Sequence, residues 1–302
     1  MTAKLSALGH EIPAHCFGPL NEHTQLLDDS TALQLALEDD GYLLLRDVLP
    51  VDEVLAARKA IFEKLIGVGE INEPALEGMP TGTSQREAMH KDLGAFWQDV
   101  CETESLRSLS HGTTMHALME KVLGAPVRPF DFLWLRTMLP GKASAFHYDH
   151  VYMNRGSEDL LTCWTPLGEA PMVDGPMLLV EGSHKFSDLI EEYKGFDVDK
   201  DQSRPGHVTM NPVALAEERD CRLLSTDFKA GDLLIVTMFM LHGSLDNQSP
   251  QGRVRLSCDT RYQPAAHPID ERWIGSPPKG HGGKSYGGVG GAQPLTSDLI
   301  RR

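Results

Sequence analysis

Apolar positions fall into two textures along the chain. Up to about residue 125 they recur at helical spacing, and from Val127 onward they come in short runs broken by Gly, Pro and Asp. The stretch DDSTALQLALEDDG, residues 28–41, offers Asp and Ser caps, apolar positions at Leu33, Leu35 and Leu37, and a closing glycine, which predicts a helix. YLLLRDVL then reads as a short buried strand. PVDEVLAARKAIFEKLIG, residues 50–67, carries Pro50 near its start, apolar Val54, Leu55, Ile61, Phe62 and Leu65, and Gly67 at its close, so it predicts an amphipathic helix. Residues 68–85 lack periodicity and are rich in Gly, Pro and Thr, the signature of a long loop of the kind that covers a site. Leu106 to Leu123 predicts one further helix, ended by Gly124.

The later runs FDFLWLRTML, AFHYDHVYM, LLTCWTPL, GPMLLVEGS, GDLLIVTMFMLHGS and RVRLSCDTRYQ predict short strands. The expected fold class is mainly β with flanking helices, an α+β arrangement in which the β half packs against the N-terminal helices. The Gly-rich end, residues 266–302, fits either a flexible tail or a loop closing over the β core. No repeat or linker divides the chain. The reading is therefore one domain over 1–302, with a mostly helical part (1–125), a β core (126–265) and the Gly-rich segment (266–302).

Composition narrows the function classes. At 41% hydrophobic residues, the 302-residue chain can bury a large core. A formal charge of −15 and the lack of any dense basic run argue against nucleic acid as a partner. No apolar run reaches membrane-spanning length, and the N-terminus has no continuous apolar signal region, so a cytoplasmic protein without a membrane partner is expected. Five cysteines without C-x-x-C spacing point to a reduced protein with neither disulfide framework nor zinc knuckle. Oligomeric state is left open, a homodimer included.

The candidate chemistry lies in FHYDHV, Phe146–Val151. On a strand, positions i and i+2 share a face, so His147 and Asp149 are expected to project together, with Tyr148 and His150 on the opposite face. An apolar strand ending in His242 supplies a third candidate ligand. Two imidazoles and one carboxylate leave three positions of an Fe(II) ion open, as non-haem oxygenases require; a zinc hydrolase could use the same set. A lone His-x-Asp is a weak signal, and a satisfied buried pair is the plain alternative. Arg253, near the start of a later strand-like run, strengthens the metal reading because a guanidinium there could hold the far carboxylate of a dicarboxylate co-substrate. Arg255, two positions on, competes for that task or could pair with Asp259.

Taken in order, FHYDH, LLTCWTPLGEA, DGPMLLVEGSHK, AGDLLIVTMFMLHGS and the arginine strand resemble the phytanoyl-CoA dioxygenase family of Fe(II)/2-oxoglutarate oxygenases. The resemblance runs from DDGYLLLRDVLP to RVRLSCDTRYQP and implies a double-stranded β-helix, a jelly-roll of the cupin type, with helices outside. It implies Fe(II), 2-oxoglutarate and O2 as cofactor and co-substrates, His147, Asp149 and His242 as iron ligands and catalytic centre, and Arg253 as the 2-oxoglutarate anchor. Thr137 and Thr162 fall where the family places polar co-substrate contacts, and Trp164 shares a strand with Thr162.

The expected reaction is hydroxylation of a C–H bond of a small organic molecule, with 2-oxoglutarate decarboxylated to succinate and CO2. The carboxylate at Asp149 argues against halogenation, since related halogenases carry Gly or Ala there. Desaturation, epoxidation and endoperoxide formation stay open. Trp134, Tyr152, Met153 and Arg155 flank the metal strand and are candidate substrate contacts, with core packing or a surface ion pair as the alternative for each. A member of the family that binds metal without turnover, or a metal-dependent hydrolase on a cupin-like barrel, are the competing functions.

Overall fold

A computed structural model describes residues 4–297. Its centre is two facing sheets of six strands each. The first runs His207–Thr209, Phe146–His147, His242–Ser244, Met177–Val180, Leu223–Ser225 and Phe17–Pro19 in spatial order. The second runs Tyr42–Leu45, Leu233–Thr237, Leu161–Pro166, Arg255–Pro264 and Val127–Pro129, with Trp134–Met138 also paired to Arg255–Pro264. Apart from the parallel edge pair of Leu223–Ser225 with Phe17–Pro19, neighbours are antiparallel. This is the jelly-roll that the family resemblance implied, with most of its strands in the half of the chain where the texture predicted them.

Period-2 alternation explains why both sheets are apolar on both faces. Leu233 and Ile235 join an outer core with the helices, while Leu234 and Val236 point between the sheets beside Trp164, Leu179 and Met240. Leu178 and Val180 of the first sheet face its own outer layer with Phe146 and Tyr148. The helices Val51–Gly67, Leu93–Cys101, Glu104–His111 and Thr113–Leu123 cover the second sheet through residues such as Ile61, Trp97, Leu106 and Met119. Among the described residues, no helix is long and apolar enough to cross a membrane.

Two local expectations are corrected, and one left open between two readings is resolved. The predicted helix over 106–123 is two helices, because Gly112 between them is extended; a Cβ there would lie 2.0 Å from the Ser108 carbonyl oxygen. In the helix Ser30–Asp40 only Leu33 is buried, and Leu35 is 57% exposed, since alternate residues cannot share a helical face. The Gly-rich C-terminal segment, through residue 297, is not a free tail within the described residues. It forms a strap of 3-10 turns in which Tyr286 is fully buried and stacked on Phe132 at 4.2 Å.

Arg86, from the loop region expected to act as a cover, fastens this strap. Its Nη1 donates to the carbonyls of Gly291 (2.7 Å), Ala292 (3.0 Å) and Gln293 (2.8 Å), and its Nη2 pairs with Glu70 at 2.5 Å. Arg86 and Glu70 are both without solvent exposure in their side chains. Gly291 lies so close to Trp97 that a Cβ would meet the indole at 2.3 Å. Breaking a buried pair strands one charge, so Arg86→Met is expected to lower stability by about 3–5 kcal/mol. Adding Glu70→Leu removes the stranded carboxylate and is expected to recover much of that loss. Denaturant unfolding of the two variants measures both effects.

Candidate metal centre

His147 ends the strand Phe146–His147 and lies directly opposite His242, which opens the strand His242–Ser244. Directly paired residues present their side chains to the same face of a sheet. The two imidazoles accordingly converge, with ring centroids 4.5 Å apart. Asp149 arrives differently from the strand-parity expectation. The strand stops at His147, and Asp149, with helical backbone angles (φ −62°, ψ −26°), leads into the turn His150–Met153. This turn, rather than alternation along a strand, carries the carboxylate to the histidines.

One ligand atom from each of His147, Asp149 and His242 lies within 4.8 Å of the others, and His147 Nε2 is 3.5 Å from Asp149 Oδ1. Backbone carbonyls fix both tautomers: His147 Nδ1 donates to Ala145 O (3.0 Å) and His242 Nδ1 to Met240 O (2.8 Å). Each Nε2 therefore keeps its lone pair for a metal. Burial and the neighbouring His147 push the His242 imidazole down to about 4, so it is neutral near pH 7. Burial alone would raise the Asp149 carboxyl, but Arg261 and the two imidazoles outweigh it and hold it well below the usual carboxylate range. A deprotonated carboxylate beside two imidazoles whose Nδ1 protons are held by backbone carbonyls is the donor set of a 2-His-1-carboxylate Fe(II) site. His150 stays out of the cluster: it is buried, stacks on Phe239 at 4.6 Å, and accepts the Gly195 N–H at 3.3 Å.

Two cavities meet at these residues. The narrower one is lined by His147, His242, Ser144, Trp164, Ser244 and Arg255 among others. The wider one, about 170 Å³, is bounded by Trp134, Thr137, Met138, Tyr152, Met153 and the strap residues Gly288–Gly291. Arg136 borders both. Trp134, Thr137, Tyr152 and Met153 line the wider cavity and Trp164 the narrower one.

Three other candidate residues stand away from the cavity walls. The Arg253 guanidinium is held by the buried Asp174 carboxylate and lines neither cavity, whereas Arg255 opens the strand Arg255–Pro264 with its side chain directed inward. Thr162 gives its hydroxyl proton to Asp149 Oδ2 rather than lining either cavity. Arg155 pairs with Asp197 at 2.7 Å and Asp199 at 3.5 Å, away from the cavity walls.

Sequence reading missed Asp259, Arg261 and His281. Arg255, Ser257, Asp259, Arg261 and Gln263 alternate with apolar or small residues along one buried strand, and that polar period was the available signal. Asp259 accepts from Arg136 Nε at 2.6 Å. His281, in the strap, sits on the wider cavity with Nδ1 3.0 Å from Asp199. Nothing in its Gly-rich surroundings marked it.

His147→Ala or His242→Ala is expected to abolish Fe(II) binding by the apoprotein in anaerobic calorimetry, while His150→Ala retains it. Equal loss in all three would contradict the geometry. A second expectation concerns the metal-free protein. The folded-state value for His242 lies below the ordinary 6.5, so the unfolded chain takes up the proton first. The contribution is present above pH 6.5 and is lost as pH falls toward about 4. Denaturant titration across that window should show a slope that His242→Gln reduces.

Comparison with known proteins agrees with this geometry. A model of the phytanoyl-CoA dioxygenase (PhyH) family matches residues 37–255. The chain is 30% identical over 256 residues to 1-deoxypentalenic acid 11-beta-hydroxylase of Streptomyces exfoliatus, covering 80% of this chain and 84% of that protein. It is 29% identical over 263 residues to the Streptomyces arenae protein of the same name, covering 83% and 87%. Among solved structures, EctD from S. alaskensis in its apoform superposes with a TM-score of 0.54 at 18% identity over 85% of each chain. The non-haem alpha ketoglutarate dependent carbocyclase SnoK from nogalamycin biosynthesis gives 0.53 at 21% identity, over 83% of this chain and 89% of its own. Identities this low speak for the shared fold. With the family match spanning most of the sheet core and hydroxylases among its relatives, this chain belongs to the phytanoyl-CoA dioxygenase family and is an Fe(II)/2-oxoglutarate-dependent hydroxylase.

Proposed function

We propose that His147 Nε2, His242 Nε2 and Asp149 hold the iron, and that Arg255 rather than Arg253 anchors 2-oxoglutarate. The observation that carries this reading is the convergence of the three ligand atoms within 4.8 Å beside a cavity that ends on a buried guanidinium. Fe(II), when bound there with 2-oxoglutarate, would activate O2 as the oxidant for C–H hydroxylation, with 2-oxoglutarate contributing two electrons through its decarboxylation. The chain's own residues do the rest. Arg255 donates from Nε to Gly175 O (3.0 Å) and from Nη1 to Ser257 Oγ (2.5 Å), which fixes the guanidinium and leaves Nη2 for a carboxylate. Burial draws this arginine down to about 10, so it stays cationic at neutral pH and gains from an incoming anion. Ser144, Ser244 and Trp164 would border the same co-substrate.

The substrate is proposed to occupy the wider cavity. Its walls are mostly apolar, from Trp134, Leu135, Met138, Met153 and Val289, with Arg136 supplying a cationic edge. That combination suits a small, mainly hydrocarbon molecule carrying an acidic group, and relatives at about 30% identity are named for hydroxylating 1-deoxypentalenic acid. The strap residues 288–291 close this cavity and would keep water from the reacting carbon. We read the whole chain as one catalytic domain, because the helices share one continuous core with the second sheet and the strap, and the sheets and strap line the cavities.

The test is 2-oxoglutarate binding by the Fe(II)-loaded protein, measured anaerobically by calorimetry. A lost charge-assisted contact is worth about 1.5–3 kcal/mol. Arg255→Met should therefore weaken binding by roughly 10- to 100-fold, while Arg253→Met stays within about twofold of the wild type. The reverse order would return the anchor to Arg253.

A further inference from the structure

Arg261 is a buried charge that the reading above leaves without a task. It lies on the inward face of Arg255–Pro264, and its side chain is 1% exposed. Nη2 stands 3.3 Å from Asp149 Oδ2 and 3.4 Å from Oδ1. The guanidinium carbon lies 4.0 Å over the Trp134 ring, and Nη1 is 3.8 Å from the Asp259 carboxylate. Nε and Nη1 are buried without a hydrogen-bond partner. Core packing would be served at least as well by an apolar side chain, because a guanidinium so poorly satisfied is costly to bury. The cost requires a compensating role in the site.

The two oxygens of Asp149 are not equivalent. Oδ1 faces His147 Nε2 at 3.5 Å, on the side where the ligand atoms converge. Oδ2 accepts the Thr162 hydroxyl, while Arg261 Nη2 stands almost equally far from both oxygens. A carboxylate can meet a metal through one oxygen or both. With both, it takes a coordination position that 2-oxoglutarate and dioxygen together need, since two imidazoles and a single oxygen leave three.

We propose that Thr162, by occupying Asp149 Oδ2, and Arg261, by holding the edge of the carboxylate, are positioning residues that let Asp149 meet iron through Oδ1 alone. This rests on the reading of His147, Asp149 and His242 as the iron ligands. Thr162 contributes a short directional bond from the neighbouring strand Leu161–Pro166. Arg261 contributes charge, and its stacking on Trp134 limits how far the guanidinium can follow if the carboxylate rotates.

Mn(II), a redox-silent stand-in for Fe(II), provides a test that needs no substrate. Pulsed electron paramagnetic resonance of the Mn(II)-loaded protein in 17O-labelled water counts the waters bound to the metal. The wild type should hold roughly three, and one after 2-oxoglutarate is added. Arg261→Met and Thr162→Val should each lose one water from the count, and circular dichroism establishes that they are folded. Arg261→Lys keeps a cation within reach of the carboxylate and should restore the wild-type count. If Arg261→Met does not fold, Thr162→Val and Arg261→Lys still decide the matter, because one must lose a water and the other must not. A wild-type count in every folded variant overturns the proposal. A wild-type protein that itself holds only two waters overturns it as well, whereas one that holds no Mn(II) overturns the ligand reading on which it rests.

Discussion

A carboxylate with no access to water, Asp149, sets the terms for the rest of this structure. Burying it alone would drive it to take up a proton and lose its value as a ligand. The fold answers with two imidazoles, a threonine hydroxyl and a guanidinium, drawn from four separate strands of both sheets. Each donor is itself fixed by something further out. The imidazoles are turned by the carbonyls of Ala145 and Met240, and Arg261 is held between Asp259 and the Trp134 ring. The site is pre-organised because every rotation that would loosen it leaves a buried charge unpaired.

The same logic separates the two cavities. Inward positions of Arg255–Pro264 are all polar (Arg255, Ser257, Asp259, Arg261 and Gln263), while the outward Leu256, Cys258 and Tyr262 feed the helical core. The first residue of the strand faces the narrow cavity suited to a co-substrate, and Arg261, further along it, faces the wide one. The wide cavity needs a cover, and the Gly-rich strap supplies one because residues without side chains can pass close to Trp97 and over the mouth. Arg86 and Glu70 tie that strap to the N-terminal loop, so the two least regular parts of the chain hold one another in place.

Much of this was legible in the residues. Apolar periodicity located the helices and the strand runs, and the order of the motifs around FHYDH and LHGS pointed to a jelly-roll metal site. What escaped was geometry that depends on where a strand stops. Strand parity grouped His147 with Asp149, although the strand ends at His147 and a helical turn brings the carboxylate in. Spacing likewise favoured Arg253, but that arginine precedes the paired part of its strand and meets Asp174, so Arg255 is the first to point inward. His281 could not be found locally, because its neighbourhood in sequence is glycine and its partner Asp199 lies far back in the chain. Conversely, Arg261 was within reach, since a charge repeating every second residue in an apolar strand has no ordinary place in a core.

The account stands on iron and 2-oxoglutarate meeting at one centre between the sheets. The most direct measurement is the visible absorption of the purified apoprotein under anaerobic conditions, titrated with Fe(II) and then with 2-oxoglutarate. The account predicts a metal-to-ligand charge-transfer band that appears only with both present and saturates at one equivalent of each. A spectrum that stays featureless with both in excess would contradict it.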